Sequence, residues 1–206
     1  MSILLDVLII IFFFFLFALF HSVLASRKIK VFFSEKYSGL LPYYRLLYNI
    51  VSFISFYIVY SIVPKPDIKI YDLNSPWDLV ILIPQFLSLA GILWTIRYFD
   101  LMEFLGIEQI LKRNRELPAT IELDGNKSLH FRGPYRLCRH PLYFFIILFL
   151  VFRPTMTLFY LTAFICISIY FYIGSYFEEE KLVEDFGESY INYQKTTPRI
   201  IPFLHV

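Results

Sequence analysis

The sequence predicts an all-α, polytopic integral membrane protein of about five transmembrane helices, ending in a C-terminal helical hairpin. Three observations predict it. Hydrophobic residues fill 58% of the 206 positions and charged residues only 17%, a balance too apolar for an ordinary soluble domain. Several apolar runs approach the roughly 20 residues that cross a ~30 Å hydrocarbon core. The cationic residues gather in alternate connections, which is the pattern that orients membrane helices. With no internal repeat and no low-complexity linker, residues 1–206 read as one domain, of which 1–97 hold three spans.

The first span is expected at about Ile3–Ala25, roughly 35 Å of helix. It lacks a basic segment before it and carries Arg27, Lys28 and Lys30 just after it, which argues for an anchor with its N-terminus outside and against a cleaved signal peptide. A second span at about Leu46–Val63 is closed by Pro64 and Pro66, and a third runs from Trp77 to Ile96 with Pro84 inside it. Residues 97–131 are too long for a turn. Their first part interleaves Leu101, Leu105, Ile107 and Ile110 with Asp100, Glu103 and Glu108, the pattern of an amphipathic helix lying at the interface, and Pro118 to Lys127 read as an exposed loop. Leu142–Phe152 and Thr155–Phe177 joined as one helix would reach about 55 Å, so the chain is expected to fold back near Arg153-Pro154. The first arm, only ~16 Å long, is expected to begin part-way into the membrane.

Loop charges give the orientation. Sixteen of the nineteen Lys and Arg residues fall in the connections 27–45, 97–139 and 181–199. By the positive-inside rule that side is cytoplasmic, and so is the C-terminus.

Two charge-dense segments flank the expected hairpin. The first, RGPYRLCRHPLY at 132–143, puts Pro141 at a helix start, behind Arg132, Arg136, Arg139 and His140, where free backbone N–H groups attract an anion. The second, EEEKLVEDFGESYINY at 178–193, places Glu178, Glu179 and Glu180 directly after an apolar helix. Carboxylates at a helix C-terminus are unfavourable, so either the helix runs on or a cation faces them. Gly187, after Phe186, is expected to end a helix with positive φ. Cys138 and Cys166 make no disulfide framework; Cys138 reads as a small packed thiol. A Gly-rich phosphate loop, a Cys/His metal quartet and a GxSxG elbow are all missing, which leaves nucleotide hydrolysis, zinc chemistry and serine hydrolysis without a basis.

The order GxYxxxRHPxY, then EExxLxxxFGxxYxxY, then a Pro-containing tail resembles the isoprenylcysteine carboxyl methyltransferase superfamily. RPTMT at 153–157 and FDLMEFLGIEQI at 99–110 resemble its branch containing methanethiol S-methyltransferase and the NnrU-like membrane proteins. The resemblance implies an S-adenosyl-L-methionine-dependent methyltransferase whose cytoplasmic cofactor pocket lies in 98–206. Carried onto matching positions, it makes Gly133, Tyr135, His140, Tyr143, Glu178, Glu179 and Tyr190 cofactor-binding candidates. Arg139 either holds the cofactor carboxylate or orients the acceptor, and His140 is the second candidate, as a proton acceptor. No metal is implied. The implied partners are a small thiol or lipophilic methyl acceptor and membrane lipids, with no nucleic acid. A small thiol such as methanethiol is the expected acceptor. A prenylcysteine carboxyl group, a phospholipid or a non-catalytic accessory role are the alternatives.

Overall fold

The computed structural model describes residues 2–98, 100–113 and 131–204. The loop expected at 118–127 lies outside the described residues. The chain is an all-α, multi-span membrane protein. Four helical stretches, Ile3–Ala25, Ser38–Ile62, Trp77–Ile96 and Leu158–Phe186, are long and apolar enough to cross a bilayer, and Pro141–Val151 is a shorter apolar helix. The chain divides into two compact units, Met1–Ile11 with Pro64–Tyr98 and Leu129–Val206, and Phe12–Val63 with Phe99–Ser128.

In the second unit, the part of α1 (Ile3–Ala25) from Phe12 onward packs on α3 (Tyr44–Ile62) through aromatic edges, Phe14 and Phe17 both against Phe56. His21 ties the same pair together by polar contacts. Its Nδ1 lies 2.8 Å from Ser52 Oγ and its Nε2 2.6 Å from the Tyr48 hydroxyl, so a ring that would be costly alone in an apolar setting is satisfied on both nitrogens. Between these helices lie α2 (Arg27–Lys36) and a 3₁₀ turn, Ser38–Tyr43. The expected amphipathic segment forms two helices, α5 (Leu101–Leu105) and α6 (Ile107–Arg113), interrupted at Gly106. Asp100 caps α5 by accepting from the Glu103 N–H at 3.0 Å, and Asn49 of α3 donates to the Phe104 carbonyl at 3.0 Å.

The first unit is built on α4 (Trp77–Ile96), which continues through Pro84, and α7 (Pro141–Val151). Gly91 lets them approach, since a Cβ there would fall on the Phe145 ring. α8 runs from Leu158 to Phe186 and α9 from Glu188 to Thr196. Gly187 separates them with φ 54°, a backbone conformation that side chains disfavour, as its position after Phe186 predicts.

An element not read from the sequence joins α7 to α8. A two-stranded antiparallel ribbon pairs β1 (Lys69–Asp72) with β2 (Thr155–Thr157). It explains how non-helical backbone is tolerated among apolar helices, because the carbonyls around it find protein partners. Gln85 Nε2 donates to the Phe149 carbonyl at 3.2 Å, the Tyr71 hydroxyl to that of Arg153 at 3.1 Å, and the Leu73 N–H to that of Pro154 at 3.0 Å. The ribbon also settles a length mismatch. From Leu158 to Glu179 α8 rises about 32 Å, whereas α7 rises ~16 Å. Arg139 and His140 bond Glu179, so α7 begins level with Glu178 and Glu179, and the shortfall sits at its far end, where residues 152–157 lead through a bend at Pro154 into α8.

Candidate active site

Local sequence fixes the first half of the site. Gly133 opens a 3₁₀ turn, Gly133–Arg136, with φ 62°, and a Cβ there would run into the Tyr98 ring. Pro141 occupies the first position of α7, where a missing N–H costs nothing. The two N–H groups just before it are taken: Arg139 N–H donates to the Pro198 carbonyl at 2.8 Å and His140 N–H to that of Arg199 at 2.9 Å. The C-terminal tail, not an anion, therefore occupies the amides that the sequence offered.

α8 supplies the second half, and both branches of the sequence alternative hold. The helix runs eight residues beyond Glu178, and a cation faces Glu179. Arg139 and Glu179, 8% and 3% exposed, form a forked pair: Nε donates to Oε1 at 2.7 Å and Nη2 to Oε2 at 3.0 Å. Arg139 Nη1 donates to the Gln194 carbonyl at 3.1 Å and to that of Thr197. Glu179 also accepts from Gln194 Nε2 at 3.0 Å and Arg199 Nε at 3.3 Å. One carboxylate thus joins the start of α7, the end of α8, α9 and the tail.

His140 sits between two acids. Nε2 lies 3.1 Å from Glu179 Oε1 and Nδ1 3.4 Å from Glu178 Oε2. A carboxylate only accepts, so Nε2 donates to Glu179, and the second carboxylate near Nδ1 favours the protonated ring. Burial by itself lowers the His140 pKa, but the hydrogen bonds and charges of Glu178 and Glu179 outweigh it and raise the group above its ordinary value. The Tyr143 hydroxyl donates to Glu178 Oε2 at 3.0 Å, and the rings of His140, Tyr143 and Phe171 stack face to face, with centroids 5.2 and 4.5 Å apart. Glu178 itself is exposed.

Of the sequence candidates, Arg139, His140, Tyr143, Glu178 and Glu179 come together directly. Tyr135 contributes its backbone, whose carbonyl accepts from the Tyr193 hydroxyl, and burial pushes its own phenol up to about 12. Tyr190, 2% exposed, is wholly enclosed, with its ring 5.8 Å from that of Tyr193; burial raises both hydroxyls well above the ordinary value. Gly133 serves the turn and lies against Tyr98. Cys138 is fully buried, which pushes its thiol up to about 12 despite the neighbouring Arg139. The sequence reading missed Phe171, Tyr176, Gln194 and Arg199. Phe171 precedes Glu178 by seven residues, two helical turns, and that spacing was a usable signal. Arg199 lies in the Pro-containing tail that the motif includes without assigning it a contact.

On the far side of Glu179 an open groove of about 340 Å³ is lined by Tyr176, Glu180, Glu184, Gln194 and Arg199, with the Arg199 guanidinium 3.5 Å from the centre of the Tyr176 ring.

No family model and no solved structure matches the chain. It is 30% identical over 207 residues to a methanethiol S-methyltransferase of Pseudomonas deceptionensis, an alignment covering 99% of this chain and 74% of that protein. It is also 30% identical over 201 residues to a methanethiol S-methyltransferase of Crocosphaera subtropica, covering 92% of this chain and 72% of that one. With near full-length alignment and both motif segments assembled in one cluster, the chain belongs to the methanethiol S-methyltransferase family.

Proposed function

We propose that this protein is an integral-membrane methyltransferase that moves a methyl group from S-adenosyl-L-methionine to a small thiol, methanethiol being the acceptor for which its relatives are named. The observation that carries the reading is the union of RHPLY and EEE, nearly forty residues apart, into one hydrogen-bonded cluster in a chain collinear with those relatives. The isoprenylcysteine superfamily is the wider setting we infer for it.

The residues present fit the cofactor by their chemistry. Glu178 is exposed and, among the described residues, only its Oε2 is engaged, which leaves Oε1 to accept from ribose hydroxyls. The flat faces of His140, Tyr143 and Phe171 suit adenine or a sulfonium. We keep Gly133, Tyr135 and Tyr190 as cofactor-binding candidates on the match of the motif. When bound, the cofactor supplies an electrophilic methyl group on a sulfonium. The chain's own groups position and polarise. Glu179 fixes Arg139 and His140 in one orientation, and positioning of this kind contributes about 7–11 kcal/mol in well-aligned reactions. The two carboxylates favour the protonated form of His140, in which it donates a hydrogen bond, and in its neutral form it is the group placed to take a proton. The Arg139 guanidinium and the His140 ring, both held on Glu179, favour a thiol acceptor in its thiolate form.

We further propose a single functional domain with five membrane passes, α7 and α8 forming its final hairpin, the N-terminus outside, and the cluster and C-terminus on the cytoplasmic side, where sixteen of nineteen cationic residues gather. One observation favours a second reading, a non-catalytic accessory of the NnrU-like kind: the Arg139 donors are engaged within the protein itself. Calorimetric titration of the purified chain with S-adenosylhomocysteine, together with headspace detection of dimethyl sulfide from methanethiol and cofactor, separates the two. Binding and product are expected; absence of both removes the enzyme reading.

A further inference from the structure

Arg199 touches the cluster twice, at two different atoms. Its carbonyl accepts the His140 N–H at 2.9 Å, and its Nε donates to Glu179 Oε2 at 3.3 Å. The guanidinium is held in place from its other side, 3.5 Å from the centre of the Tyr176 ring.

The two oxygens of Glu179 divide their work. Oε1 takes Arg139 Nε at 2.7 Å and His140 Nε2 at 3.1 Å, whereas Oε2 takes Arg139 Nη2, Gln194 Nε2 and Arg199 Nε. Arg199 therefore anchors the oxygen that His140 does not use, and leaves the other aimed at the ring.

Charge gives this contact a second consequence. Around His140 stand Glu178 and Glu179 from α8, Arg139 beside it, Tyr143 on α7, Tyr190 and Tyr193 from α9, Cys138 before it and Arg199 from the tail. Burial keeps Cys138, Tyr190 and Tyr193 uncharged, and Tyr143 donates to Glu178. Glu180 and Glu184 line the groove beyond Glu179, exposed to water that screens them. With Arg139 alone against two carboxylates, His140 would have to be the second cation. Arg199 fills that place.

We propose that Arg199 is a positioning residue of the site: seated on Tyr176, it fixes the Glu179 carboxylate and offsets its charge, so that His140 is not bound to the role of counterion and is free to exchange its proton. This rests on the reading of the cluster as a methyl-transfer site, in which neutral His140 is the group placed to take a proton.

The test reads the proton on His140 directly. The full-length protein, its histidine rings labelled with ¹³C and ¹⁵N, is titrated by NMR in detergent without cofactor, the His140 signal being the one missing from H140N. In R199Q the His140 titration is expected to move to higher pH by about 1 unit, the size of effect exerted by one charge a few ångströms away. R199K keeps the cation and is expected to stay near the native protein. The pH of half-maximal dimethyl sulfide formation should follow the same order. Equal titrations of His140 in R199Q and R199K overturn the proposal, because a merely structural role does not separate a glutamine from a lysine by pH. Where R199Q fails to fold, the half-exposed Tyr176 decides: Y176L, which removes the ring under Arg199, is expected to move the His140 titration to higher pH and Y176F, which keeps the ring, is not. No difference between those two overturns it equally. A native protein whose His140 responds as expected, yet which forms no dimethyl sulfide, removes the methyltransferase reading and leaves the hold of Arg199 on His140 in place.

Discussion

Substituting Arg139 by Ala tests the centre of the structure. The side chain makes a forked pair with a carboxylate that is 3% exposed and bonds two backbone carbonyls, so its loss leaves those carbonyls unpaired and removes one of the cations around Glu179. Breaking a buried pair by removing one partner costs about 3–5 kcal/mol. For a chain of this length that corresponds to a fall of roughly 6–20 °C in the unfolding temperature. Glu179→Ala should fall at or beyond the upper end, because Arg139, His140 and Arg199 all lose their shared acceptor. The double variant should cost less than the sum of the two, with a coupling energy on the order of 1–3 kcal/mol. Thermal unfolding of the four proteins in one detergent, followed by far-ultraviolet circular dichroism, gives all these quantities. An Arg139→Ala protein within about 1 kcal/mol of the native one, or strictly additive single losses, would refute the idea that one carboxylate holds four segments together.

Four further outcomes follow from particular residues. The raised pKa of His140 means that its contribution to stability is complete below about pH 6.5 and is lost as pH rises through the folded-state value; native unfolding temperatures should decline on the alkaline side, and His140→Asn should flatten that slope. Tyr143→Phe removes one hydrogen bond to the Glu178 carboxylate and should weaken S-adenosylhomocysteine binding about tenfold by calorimetry, with little change in unfolding temperature. Gly133→Ala must hold φ near 62° and displace Tyr98, so a loss of about 1–3 kcal/mol is expected in the same unfolding assay. Cys138, fully buried with its thiol pushed up to about 12, should resist iodoacetamide at neutral pH until the protein is unfolded, as read by peptide mass spectrometry.

Much of this protein is determined by its sequence alone, because hydrocarbon imposes simple demands. A backbone crossing a bilayer must satisfy its own hydrogen bonds, so apolar runs of the right length become helices, and Ile3–Ala25 and Trp77–Ile96 are found where the runs lie. Pro141 and Gly187 mark helix ends for equally local reasons, and the RHP and EEE segments show their chemistry in the order of their residues. Tertiary structure decided what no local rule carries. The β1–β2 ribbon depends on partners more than eighty residues apart, and strands of four and three residues are too short for an alternation to announce them. The role of Glu179 within EEE was likewise undecidable in sequence, because three adjacent carboxylates point in directions ~100° apart and only packing selects which one meets Arg139, which meets Tyr143, and which faces the groove. The tail was chemically ordinary on the page; folding laid its carbonyls on the amides of Arg139 and His140, since buried backbone groups take the nearest partner that packing brings to them.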